Sequence, residues 1–110
     1  MSPNLPPVIA AYFAAANKHD AAGLIACFSA EAVVEDEDRE YRGPEAIRAW
    51  KTDALSKYRP VHEPLSSEQE NQAVVVVSRV SGDFPGSPVE LRHEFVLEGN
   101  AIRRLSIRLA

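Results

Sequence analysis

Apolar side chains recur every third or fourth residue through the first half of the chain and every second residue through the second half. The first spacing predicts helices and the second predicts strands. Leu5, Val8, Ile9, Tyr12, Phe13 and Ala16 fall on one helical face. Asn4 is placed to cap this helix, and Pro6 and Pro7 sit in its first turn, where a missing N–H costs little. The helix is expected to end near Asn17–Lys18. Asp20 suits the cap of a shorter second helix with Leu24, Ile25 and Phe28 as its apolar side. Ala32 to Glu37 reads as a short strand. Tyr41-Arg42-Gly43-Pro44 reads as a turn into a third helix, whose stripe is Ile47, Trp50, Ala54, Leu55 and Tyr58.

Pro60 closes that helix, and alternation takes over. Strands are predicted over 61–70, with Pro64 as a weak point, and over 72–81, 89–98 and 101–109. In VELRHEFVLE (89–98), Leu91, His93, Phe95 and Leu97 point one way, and Glu90, Arg92, Glu94 and Glu98 the other. Gly99-Asn100 is a hairpin signal. The resulting order is α-α-β-α-β-β-β-β. Helices come first and an antiparallel meander follows, which is the α+β class. The sheet has an apolar face to cover, and the three helices supply the cover.

Length and charge then narrow the function. The 110 residues suit one domain spanning 1–110, with one core. A formal net charge of −4 argues against nucleic acid and against an anionic membrane surface, which both favour basic patches. The longest aliphatic run, AVVVV at 73–77, is too short to span a bilayer. MSPNLPP lacks the basic and apolar regions of a signal peptide. Cys27 is the single cysteine, so no internal disulfide forms, and a reducing cytoplasm is the default expectation. The three histidines show no metal-ligand spacing, so no zinc site is expected. Nucleophile elbows, phosphate loops and dinucleotide fingerprints are missing.

The stretch VVEDEDREYRG (33–43) carries five acids. As a strand, it puts Asp36 and Val34 on one face and Glu35 and Glu37 on the other. From the residues alone, the run is a solvated hairpin tip, a poor cation loop, or the cover for one carboxylate turned inward. Tyr12 reads equally as a core tyrosine or as a hydroxyl donor to a ligand. His93, between Leu91 and Phe95, reads as a core histidine, a pocket donor or a second base. Trp50 reads as pocket wall or core. His62 and Glu63 must point to opposite faces.

Three stretches together carry a resemblance. They are VIAAYFAAANKHDAAGLIACFSAEAVVED (8–36), YRGPEAIRAW (41–50) and HEFVLEGNAIRRLSIR (93–108). In this order and spacing the chain resembles the nuclear transport factor 2-like superfamily, and within it the SnoaL-like polyketide cyclases and the ketosteroid isomerases. The resemblance implies a cone: a curved, mostly antiparallel, mixed sheet wrapped around the helices, with a central pocket. In ketosteroid isomerases a tyrosine of the first helix and an aspartate at the end of the first strand share that pocket. The matching residues are Tyr12, as hydroxyl donor, and Asp36, as base. Where that family has a second acid on a late strand, this chain has His93. Phe28, Val34, Trp50, Leu91 and Phe95 would line the pocket. The implied ligand is a small, hydrophobic, carbonyl-containing molecule, and the implied assembly is a homodimer through the outer sheet face.

The expected function is therefore cofactor-independent acid–base catalysis on such a carbonyl compound, as in an isomerase or cyclase. Two alternatives stand beside it: a non-catalytic small-molecule-binding domain of the same fold, and a pocketless dimerisation module.

Overall fold

The structure, a computed structural model, describes residues 4–110. Helix α1 (Pro7–Asn17) buries Ile9, Tyr12, Phe13 and Ala16, the face given by periodicity. Its N-cap is Pro6 rather than Asn4. Pro7 forbids helical geometry at Pro6, whose ψ is 146°, while the Pro6 carbonyl accepts from the Ile9 and Ala10 N–H groups. Helix α2 (Ala21–Ile25) is capped as expected: Asp20 Oδ1 accepts from the Gly23 N–H at 3.0 Å. Helix α3 (Gly43–Tyr58) has Pro44 in its first turn and stops at Arg59, in left-handed geometry, just before Pro60. Its buried face is Ile47, Trp50, Lys51 and Leu55.

Strand β1 runs Phe28–Asp36, so Phe28 starts a strand instead of closing α2. Glu37 and Asp38 both take positive φ, 53° and 63°. That is the geometry of a two-residue hairpin turn, and it folds the chain back at once. The result is a short strand β2 (Arg39–Arg42), which the sequence reading gives only as a turn. Strands β3 (Val61–Glu70), β4 (Ala73–Ser81), β5 (Val89–Glu98) and β6 (Ala101–Leu109) match the alternating segments.

The six strands form one sheet in the order β2-β1-β6-β5-β4-β3. Only the β1–β6 pair is parallel, so the sheet is mixed. The α+β architecture, with helices in the N-terminal half and one wrapped sheet, is the expected one. Register fixes what the inner face presents. One cross-strand row is Val34, Leu105, Phe95 and Val74; the next is Asp36, Ile107, His93 and Val76. These rows meet Tyr12, Phe13, Ile47 and Trp50 from the helices in one core.

At the end of α1 the Asn17 amide grips the backbone of His62 twice. Its Nδ2 donates to the His62 carbonyl at 2.9 Å, and its Oδ1 accepts from the His62 N–H at 2.7 Å. This anchors the helix carrying Tyr12 to the start of the edge strand β3. No helix among the described residues is long and apolar enough to cross a membrane.

Candidate functional site

The acidic stretch divides by strand alternation. Glu35 faces outward and pairs with Arg104 of β6. Glu37 and Asp38 form the exposed turn. Glu40 pairs with Arg42 at 2.6 Å on the surface. Asp36 alone is inward and half-buried, and its Oδ2 accepts a hydrogen bond from Trp50 Nε1 at 3.0 Å. One indole donor orients the carboxylate and leaves Oδ1 with its lone pairs. Tyr41 of β2 packs against the Trp50 ring, with centroids 5.8 Å apart, and supports it from the other side.

Tyr12 is fully buried. The rings of Phe13, Phe95, Phe28 and His93 stand edge-on to it at 5.1, 5.4, 6.1 and 6.4 Å. Its hydroxyl oxygen accepts a hydrogen bond from Lys51 Nζ at 3.4 Å. Burial first, and the Asp36 charge second, push the phenol pKa upward, so it remains protonated. With its oxygen engaged by Lys51, the hydroxyl proton is free to be donated elsewhere. The contact of Tyr12 is thus Lys51, and that of Asp36 is Trp50; the neighbouring positions 50 and 51 of α3 tie them together.

His93 is also fully buried, stacked on Phe95 at 6.0 Å with an interplanar angle of 10°. Register places it in the same row as Asp36 with Ile107 between, a backbone separation of roughly 10 Å. Neither of its ring nitrogens has a hydrogen-bond partner among the described residues. Burial, then the Lys51 charge, lowers its pKa to about 3, against a weaker opposite pull from the Leu91 and Val76 carbonyls. It is a neutral imidazole near neutral pH.

Val34 and Phe95 are wholly buried and Trp50 nearly so, while Phe28 and Leu91 are half-buried. All but Leu91 belong to or pack against the core that holds Tyr12. Two open depressions lie elsewhere on the surface. One, about 490 Å³, lies between the start of α1, α2 and the β5–β6 hairpin; the other, about 320 Å³, lies between α2 and α3. Neither is lined by Tyr12, Asp36 or His93.

The structure adds two polar residues that the sequence reading does not place in the site. Lys51 is only 4% exposed, with Nζ 4.6 Å from the Trp50 ring centroid. Burial lowers its pKa to about 8, against an upward pull from Asp36. The signal for it was present: Ile47, Lys51 and Leu55 are spaced by four, so a lysine occupies the helix's buried stripe. His62 faces inward on β3, 5.9 Å from the His93 ring, with Nδ1 unpartnered among the described residues. Its pKa is lowered to about 2, by burial first and then by the charges of Lys51, His93 and His19. Strand alternation already set it opposite Glu63. Among the described residues, no group of three or more His, Cys, Asp or Glu side chains converges on a metal position.

The family described as "SnoaL-like domain" matches residues 9–104. A provisionally named polyketide cyclase from Sinorhizobium meliloti is 38% identical, with a TM-score of 0.90 over 94% of this chain and 95% of that one. A protein of ketosteroid isomerase-like fold from Catenulispora acidiphila, solved with trimethylamine, is 18% identical; its TM-score is 0.85 over 97% of this chain and 88% of that one. An NTF2-like protein of unknown function from Cytophaga hutchinsonii is 12% identical; its TM-score is 0.77 over 94% of this chain and 87% of that one. The latter two share the fold. No curated protein matches the sequence.

Proposed function

Since this chain belongs to the SnoaL-like domain family, we propose that it is a cofactor-independent acid–base catalyst acting next to the carbonyl of a small apolar compound, in the manner of an isomerase or cyclase. The observation that carries the reading is the pairing of two opposed functions on adjacent residues of α3. Trp50 holds the Asp36 carboxylate, and Lys51 holds the Tyr12 hydroxyl. Removing a proton beside a carbonyl builds negative charge on the carbonyl oxygen, so a site needs a base and a donor together. Asp36 takes the proton. The Tyr12 O–H donates to the oxygen, and the Lys51 cation behind it stabilises the charge. Asp36 then returns the proton to another carbon, or the enolate carbon attacks a second carbonyl. The neutral His93 N–H is a further donor at the buried end.

The test is deuterium exchange at carbons next to the carbonyl, across a panel of apolar ketones and 1,3-diketones. Asp36→Asn keeps the Trp50 contact and the shape but lacks the base. The expected loss of exchange is roughly 10²–10⁴-fold, the usual worth of a positioned base. Exchange at the wild-type rate in that variant refutes the assignment.

A second reading, binding without turnover, draws on one observation: Tyr12 and His93 have no exposed surface. Under it, a ketone would bind equally well to wild type and Asp36→Asn, and neither would exchange. For assembly, we propose a homodimer through the outer sheet face. Val75 is there only 5% exposed, beside half-buried Val77 and Val96, among the charges of Arg79, Arg92, Glu94, Arg104 and Arg108. Such a mix suits a moderate, partly polar contact. Sedimentation at tens of micromolar is expected to give twice the chain mass; the chain mass alone overturns it.

A further inference from the structure

The reaction just proposed uses Lys51 only as a charge behind Tyr12, yet its surroundings suit a different task. We propose that the Lys51 amine is a nucleophile that captures the carbonyl compound as a Schiff base. This rests on the reading that the ligand carries a ketone or aldehyde. The chain has three lysines, and Lys18 and Lys57 are exposed. Lys51 is buried, and no carboxylate among the described residues lies within salt-bridge distance of it. The hydrogen-bond partner of its ammonium among the described residues is a phenol, and an indole face lies 4.6 Å from its nitrogen. A buried ammonium without a counter-ion is costly, and the cheapest relief is to lose the proton. The lowered pKa agrees with this: near pH 8 half of the amine carries its lone pair, whereas an ordinary lysine with a pKa of 10.5 is almost fully protonated there. Desolvated lysines of this kind are nucleophiles toward carbonyls.

The neighbours supply the proton transfers. The free amine attacks the carbonyl carbon, forming the C–N bond as the π pair moves to oxygen. That oxygen takes the Tyr12 proton, and the ammonium nitrogen loses one proton to Asp36, giving a neutral carbinolamine. The nitrogen lone pair then expels hydroxide, which leaves as water with the proton from Asp36. The remaining nitrogen proton restores Tyr12. One imine bond to Lys51 is formed and one water is released, with no change of oxidation state. When Tyr12 hands its proton back to the nitrogen, the protonated imine draws electrons from the neighbouring carbon more strongly than the carbonyl does, and Asp36, again ionised, removes the adjacent proton more easily.

The experiment uses acetone as the probe and sodium cyanoborohydride to reduce any imine to a stable secondary amine, followed by peptide mass mapping. The expected result is one isopropyl adduct, on Lys51, with labelling half-maximal near pH 8 and far ahead of Lys18 and Lys57. Lys51→Met, shown to be folded by circular dichroism, should lose the adduct. Labelling of Lys18 and Lys57 with Lys51 untouched, or equal labelling of all three, overturns the proposal. The outcome is separable from that of the base assignment. Wild-type exchange that is lost in Asp36→Asn, with no adduct on Lys51 in wild type, removes the Schiff base and leaves Asp36 as base. An adduct on Lys51 in a protein that never exchanges protons removes the base and leaves the nucleophile.

Discussion

Acidification from pH 7 to pH 4 is expected to unfold the chain cooperatively, and His62 and His93 are the reason. Both are neutral and buried, with folded-state pKa values of about 2 and about 3 against an ordinary 6.5. Between those values the unfolded chain binds protons that the folded chain refuses. The neutral state is therefore fully favourable above pH 6.5 and is lost as the pH falls toward 3. Each histidine costs roughly 1.4 kcal/mol per pH unit in that window, so the pair costs on the order of 7 kcal/mol by pH 4. That is comparable to the whole stability of a small domain. Far-UV circular dichroism from pH 7 to pH 3 checks it. The double substitution His62→Leu with His93→Leu should move the acid midpoint down by a unit or more. It should not weaken the protein at pH 7, because His62 Nδ1 and both ring nitrogens of His93 are buried without a hydrogen-bond partner among the described residues. Identical midpoints for the two proteins would place the acid sensitivity elsewhere.

Lys51→Met is expected to stabilise the protein by roughly 2 kcal/mol at pH 7 while impairing its chemistry. The lysine pKa is about 8 folded and 10.5 unfolded, so at neutral pH folding must bury a charge. Methionine fills the same volume with no charge to desolvate, at the cost of the Lys51–Tyr12 hydrogen bond. The sign gives a second check. Above pH 8 the folded wild type sheds the proton, and its penalty fades, vanishing beyond pH 10.5. The advantage of methionine should therefore be greatest below pH 8 and should shrink steadily toward pH 10.5. Urea melts at pH 7 and pH 10 measure both. A pH-independent gain, or a loss, would contradict the burial argument. Residues that cost stability where they stand are commonly kept for function.

Much of the fold was legible because the segments differ in period. The strand bounds over 61–109 follow directly from alternation, and α1 and α3 from their apolar stripes. Two features were not. Strand β2 depends on Glu37 and Asp38 both taking positive φ, an unusual geometry that an acidic run does not announce. Phe28 joins β1 because it pairs with Ile102, some seventy residues on, a contact no local window contains. In the site, alternation turned Asp36 inward and separated it from its acidic neighbours. Lys51 was missed because a charged residue is ordinarily assigned to water, although its spacing from Ile47 and Leu55 put it on the buried face. Long-range partners decided the rest: Trp50, rather than Tyr12, holds Asp36.

The Asn17 clamp on His62 also bears on how this chain behaves in a crowd. β3 is an edge strand, and its Val61 and Leu65 are 51% and 45% exposed. An open strand of that kind is a template on which another copy can add, and then another. By occupying both the N–H and the carbonyl of His62, Asn17 stands where the first residue of an incoming strand would have to bond. Farther along, the register irregularity between Pro64 and Ser66 bends the edge, and Glu68 and Glu70 put like charges where a second copy would approach. Fibre-like growth by strand addition is thus opposed at both ends of β3.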